Sequence, residues 1–143
     1  KLLFPFDGGD SLDHHACFSL RQQPGEQDGP FTLLPDNAEV ALQICLSADG
    51  LVGGDLVFYG ARDEPRQTPL NVPLLEVGHA VLYRGTNLHR WKPLEPLGVD
   101  LRDDSPSFSR TVLNISGRSS TWRAEYMAVD DEYPIRVSSH MDL

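Results

Sequence analysis

Apolar and polar residues alternate along much of this chain, as they do in strands with one covered face. The clearest run is Ala38–Leu46, where Val40, Leu42, Ile44 and Leu46 fall on one face and Glu39, Ala41, Gln43 and Cys45 on the other. Ser47-Ala48-Asp49-Gly50 ends the run as a turn. Gly53-Gly54, a tight backbone feature, then opens a second strand, Asp55–Tyr59. The two read as a hairpin with a long connection.

Upstream, Ala16–Arg21 and Phe31–Asp36 read as strands, split by the loop signal Pro24-Gly25-Glu26-Gln27-Asp28-Gly29-Pro30. Downstream, Ala61–Pro73 holds Pro65, Pro69 and Pro73 and reads as an exposed loop. Leu74–Val77, His79–Arg84 and Leu88–Lys92 follow as short strands. Pro93–Ser109 is acidic and turn-rich, an exposed insertion, and Arg110–Arg118 is the last regular strand. Tyr126–Val129 is a further candidate edge strand, with a frayed end expected after it.

These segments make about eight short strands. No 3.6-residue apolar period lasts long enough to predict a helix. The fold class is therefore all-β: a β-sandwich, a jelly roll or another barrel-like fold, among which periodicity does not choose.

Composition narrows the function. The 12 Gly and 11 Pro cluster between the apolar runs, as many short strands require. A net charge of −9 with only 12 scattered Lys and Arg argues against a nucleic-acid surface. No apolar stretch approaches the roughly 18 residues of a membrane span. The 143 residues suit one domain, with a core over about 14–120 and an extension over 121–143. The chain starts at Lys1 rather than Met, as an excised or processed piece would. Cys17 and Cys45 form no CxxC pair and are read as reduced, partly buried thiols. Asn114-Ile115-Ser116 spells a glycosylation triplet, but inside a strand, where a glycan is hard to accommodate.

Four ordered segments carry a family resemblance. They are Asp36-Asn37-Ala38-Glu39-Val40; Gly53-Gly54-Asp55-Leu56-Val57-Phe58; Tyr83-Arg84-Gly85-Thr86-Asn87-Leu88-His89; and Arg110 with the strand ending Arg118-Ser119-Ser120. In this order they resemble the Fe(II)/2-oxoglutarate-dependent dioxygenases of the prolyl-hydroxylase-like group. Within it they resemble the 2-oxoglutarate- and iron-dependent oxygenase domain-containing proteins. The resemblance runs from about His14 to Ser120 and implies a double-stranded β-helix, or jelly-roll, core.

It also implies a site. Such enzymes hold iron(II) with a His-x-Asp pair and a later histidine, leaving positions open for cosubstrate and oxygen. A basic residue further on pairs with the far carboxylate of 2-oxoglutarate. Here Asp36 matches the carboxylate ligand, His89 the later histidine and Arg110 the cosubstrate arginine. Arg110, Val112, Asn114 and Ser116 share one strand face, which suits a barrel interior. The long separation between His89 and Arg110 is absorbed by the acidic insertion.

Three positions depart from the pattern. Leu34 stands where the first histidine belongs, and an aliphatic side chain has no lone pair for iron. Gln22 stands near where related domains often carry a tyrosine that touches the cosubstrate. Arg90-Trp91 follows His89 where small residues are common, and its bulk threatens to crowd the pocket. Among substitute ligands, His79 begins a strand, His14 and His15 read as surface residues, and His140-Met141-Asp142 spells His-x-Asp in the wrong context.

Three readings follow. The first is a degenerate dioxygenase-like domain with a binding or structural role, with a protein partner or within a larger assembly, and without a cofactor. The second is a working hydroxylase using Fe(II) and 2-oxoglutarate at an unusual site, acting on a peptidyl or small-molecule C–H bond. The third is an unrelated β-sandwich binding module, which requires that Asp36, His89 and Arg110 do not converge on one cavity.

Overall fold

The computed structural model describes residues 3–25, 33–62, 64–65, 67–98 and 108–126. Its strands are β1 (His14–Gln22), β2 (Val40–Ala48), β3 (Leu51–Gly53), β4 (Leu56–Ala61), β5 (Leu70–Val72), β6 (Ala80–Arg84), β7 (Asn87–Trp91), β8 (Leu94–Pro96) and β9 (Arg110–Arg118). One short helix follows, α1 (Ser120–Tyr126).

All pairings are antiparallel. One sheet runs β1-β9-β2-β6 and another β5-β4-β7, with β3 and β8 forming a separate pair. An isolated bridge between Leu34 and His89 extends the β5-β4-β7 sheet beyond β7. The two larger sheets face each other. Ala41 and Tyr83 from one meet Leu56 and Phe58 from the other, with Val72, Val81 and Trp91 packed around them. A second cluster joins Cys45, Leu74 and Val112. This mainly-β sandwich of jelly-roll type bears out the expected fold class.

The strand faces show what builds the core. On β2, the face that turns inward carries Ala41, Gln43 and Cys45, all buried. The more apolar face, with Leu42 and Ile44, turns outward and is only partly covered. The register slips between Cys45 and Ser47, so Leu46 opposes no residue of β9 and is exposed. That bulge removes Leu46 from the face it was expected to share with Val40. On β9, Arg110, Val112 and Asn114 point inward, as their alternation implied. Asn114 is therefore closed to a glycan.

Several expected elements change. The β2 and β4 segments belong to different sheets and are no hairpin. Between them, Gly50, Gly53 and Gly54 all take positive φ, which turns the chain from one layer to the other through β3. Phe31–Asp36 contributes only the Leu34 bridge among described residues. The loop expected over Ala61–Pro73 contains β5, and Leu74–Val77 is not a strand. Leu74 is nonetheless fully buried: its apolarity reports packing, not pairing. The insertion after Pro93 begins with β8, and 99–107 lie outside the described residues.

The absence of any helix was also wrong. Ser119 caps α1, accepting a hydrogen bond from the Trp122 amide at 3.1 Å. Seven residues are too few for an apolar period to show. Tyr126 belongs to this helix rather than to an edge strand, and Met127–Val129 lie outside the described residues. Both cysteines are free, Cys45 fully buried and Cys17 exposed, against the expectation that both were partly buried.

Candidate functional site

Asp36 sits in the turn between the Leu34 bridge and β2. Its amide donates to the Gly85 carbonyl at 2.8 Å, and the Gly85 amide donates to the Glu39 carbonyl at 3.0 Å. A side chain at Gly85 would collide with the Ala38 carbonyl, so the Tyr83-Arg84-Gly85 segment needs glycine there. The far side of the turn is clamped as well. Arg118 Nε donates to the Asn37 carbonyl at 2.7 Å, and Arg123 Nη1 to Asn37 Oδ1 at 2.7 Å. Glu39, buried beneath, accepts from the Ser119 amide at 2.5 Å and from Arg123 Nε at 2.6 Å. Much of the motif that resembles the dioxygenases thus serves to hold Asp36 in place.

Its carboxylate meets three inward side chains. Tyr83 donates its hydroxyl to Asp36 Oδ2 at 2.6 Å and accepts from Gln43 Nε2 at 2.8 Å. Burial, the neighbouring carboxylate and the bond to it all push the Tyr83 phenol far above its ordinary value, so it stays a donor. His89 Nε2 lies 3.9 Å from Asp36 Oδ1. The His89 ring packs against Phe58 and Tyr83, with centroids 5.7 and 5.2 Å away. Its Nδ1 lies 3.0 Å from the Asn87 carbonyl oxygen. A carbonyl only accepts, so Nδ1 carries the hydrogen and Nε2 is the atom presented to Asp36.

Leu34 completes this corner. Its amide and carbonyl pair with those of His89 at 3.4 and 3.3 Å, so the two side chains leave the bridge on the same face. Leu34 and Asp36, two residues apart, both lie beside His89, Leu34 through the backbone bridge and Asp36 through its carboxylate. Leu34 is 55% exposed.

Arg110 lies deeper and is fully buried. It donates to Gln22 Oε1 from Nε at 3.0 Å and from Nη2 at 2.5 Å. Its Nη1 donates to the carbonyls of Gly54 at 2.5 Å and Leu74 at 3.5 Å. Trp91 covers the guanidinium, 4.2 Å from its ring centroid. Trp91 follows His89 by two residues on β7, so the two side chains leave the same face of that strand, His89 beside Asp36 and Trp91 over Arg110. Of the bulky pair that follows His89, Trp91 lies on the Arg110 guanidinium.

The other histidines stay outside it. His79 is exposed beside Glu76, and His14 and His15 are exposed on β1. His140 and Asp142 lie outside the described residues. Among the described residues, no three or more His, Cys, Asp or Glu side chains gather so as to hold a metal ion. The described residues therefore do not fit a three-ligand iron site. Tyr83, Gln43 and Glu39 escaped the sequence reading as site residues. Their signal was faint: all three side chains are buried, but nothing in their local sequence marks them out.

No family model matches the chain. It is 42% identical over 96 residues to the human protein named 2-oxoglutarate and iron-dependent oxygenase domain-containing protein 2, covering 65% of this chain and 26% of that one. The mouse protein of the same name is 36% identical over 94 residues, with the same coverage. The matched part is thus about a quarter of these relatives' length. Two crystal structures share the fold. A bsmA homologue from Methylobium petroleophilum aligns with a TM-score of 0.55 at 18% identity, over 74% of this chain and 41% of that one. IDO from Bacillus thuringiensis aligns with a TM-score of 0.50 at 16% identity, over 73% and 47%. The curated homologues carry the name of the family to which the four ordered segments pointed, and over the matched residues this chain is similar to the 2-oxoglutarate and iron-dependent oxygenase domain-containing proteins.

Proposed function

We propose that this is a catalytically degenerate dioxygenase-like domain whose work is binding or structural, with a protein partner or in a larger assembly. The observation that carries the reading is the leucine directly across the bridge from His89. An alkyl group there offers no donor where a first imidazole belongs. Two ligands hold a metal far less tightly than three, and ligand type sets reactivity as well as affinity. The corner is also satisfied without a metal, since Tyr83 donates to Asp36.

Titration with Fe(II), or Mn(II) as its surrogate, in the presence of 2-oxoglutarate tests this. Neither micromolar metal binding nor succinate release is expected. Micromolar binding accompanied by conversion of 2-oxoglutarate to succinate overturns the reading.

A second reading, a working Fe(II)/2-oxoglutarate hydroxylase with a non-standard site and Arg110 as the cosubstrate residue, draws on one observation. His89 turns Nε2 towards the Asp36 carboxylate while its Nδ1–H is anchored on a backbone carbonyl, an arrangement common behind metal-binding imidazoles. On that reading, alanine at His89 or Asp36 abolishes metal binding; unchanged metal content in either variant sinks it.

A further inference from the structure

The guanidinium of Arg110 is engaged by the protein on both edges. The backbone carbonyls of Gly54 and Leu74 take the Nη1 edge. The Nε/Nη2 edge is the one a planar carboxylate grips with two parallel bonds. Here a single oxygen, Gln22 Oε1, accepts from both of those nitrogens. Gln22 is itself only 4% exposed.

We propose that Gln22 is the built-in occupant of a carboxylate site: its carboxamide fills the place where a small carboxylate would pair with Arg110, and so keeps that site closed. The sheet register makes this possible. Gln22 and Arg110 are direct partners across β1 and β9, so both side chains leave the same face at adjacent positions. Gly54 supports the cradle from the other side, since a Cβ there would stand 2.8 Å from Arg110 Nη1.

The carboxamide is the weaker partner, bond for bond, because it carries no full charge. It prevails because it is tethered. A free anion loses translational and rotational freedom on binding, whereas Gln22 is delivered by the strand pairing itself. The inference deepens the degenerate reading and rests on it: the metal corner lacks a ligand, and the anion corner already holds a neutral one.

Formate is a suitable probe, being small enough for the space a truncated Gln22 would leave. The assay uses the whole chain in EDTA, comparing formate with chloride at equal ionic strength by thermal unfolding and calorimetric titration. The wild-type midpoint should not respond to formate. Gln22→Ala should unfold at lower temperature in chloride, recover in formate, and bind formate at least about tenfold more tightly than wild type. Gln22→Glu, which supplies the carboxylate internally, should match or exceed the wild-type midpoint at neutral pH.

Equal formate responses in wild type and Gln22→Ala overturn the proposal. So does a Gln22→Ala protein that formate neither stabilises nor restores to the folded state, or a Gln22→Glu protein less stable than wild type. No metal takes part, so turnover of 2-oxoglutarate with iron would sink the degenerate reading while leaving the formate comparison to decide this one.

Discussion

Leu34 and His89 are bonded to each other through their backbones in both directions, and their side chains leave that bridge on one face. An imidazole at position 34 would therefore start from the same face as His89 and Asp36. Leu34→His is expected to tighten Mn(II) or Co(II) binding at least about tenfold, the scale on which metal sites respond to their surroundings. Calorimetric titration measures the affinity, and the Co(II) absorption spectrum reports the donor set. An unchanged affinity would mean that the corner is not arranged as its backbone suggests.

Gly54 combines a positive φ of 63° with close packing against Leu94 and Arg110. Gly54→Ala should cost about 1–3 kcal/mol from the backbone alone, with a further loss from displacing the guanidinium. Gly98, with φ of 69° and no atom within reach of an added Cβ, is the control. Gly98→Ala should be distinctly milder in urea unfolding. Equal losses would show that contact with Arg110 contributes nothing.

Glu39 is buried, and both its oxygens are used, by Ser119 and by Arg123. Removing it takes the acceptor from Arg123 Nε, leaving that guanidinium its bond to Asn37, and leaves the Ser119 amide without its acceptor. Glu39→Ala is expected to destabilise the domain by about 3 kcal/mol. It should also release α1, read as faster hydrogen exchange at the Arg123 amide, which bonds to the Ser119 carbonyl at 3.0 Å. Retained protection there would separate the helix from the Asp36 turn.

Asp13 supplies an acid-sensitive contact at the start of β1. Its hydrogen bond with the His14 ring, and then the one from the Ser120 amide, lower its carboxyl from 3.8 to about 2. A folded value below the ordinary one means that folding favours the ionised form. The contribution is complete above about 3.8 and fades as the pH falls towards about 2. Asp13→Asn should flatten the acid limb of the stability profile across that window. An unaltered limb would assign acid sensitivity to other carboxylates.

Much of the fold was legible along the chain. Strands β1, β2, β4, β6, β7 and β9 were all anticipated, β9 with its observed ends, because long alternating runs bounded by glycine and proline carry a strong local signal. β3, β5 and β8 were not, since three residues are too few for an alternation to declare itself, and seven are too few for the longer apolar period of α1. Asp36, Leu34, His89 and Arg110 could be singled out only through the family resemblance of the segments that carry them.

What they touch could not. Alternation divides β2 into two faces but does not say which is inward, and the structure buries Ala41, Gln43 and Cys45 rather than the leucines. The partners of Asp36 and Arg110 come from strands far along the chain: Tyr83 on β6, and Gln22 on β1 with Trp91 on β7. The sequence by itself determined that this is a mainly-β chain with segments that resemble the dioxygenases and a leucine two residues before Asp36. Only the tertiary structure set that leucine against His89 and closed Arg110 with Gln22. Local pattern governs which residues can form strands, while registry between distant strands decides which side chains meet.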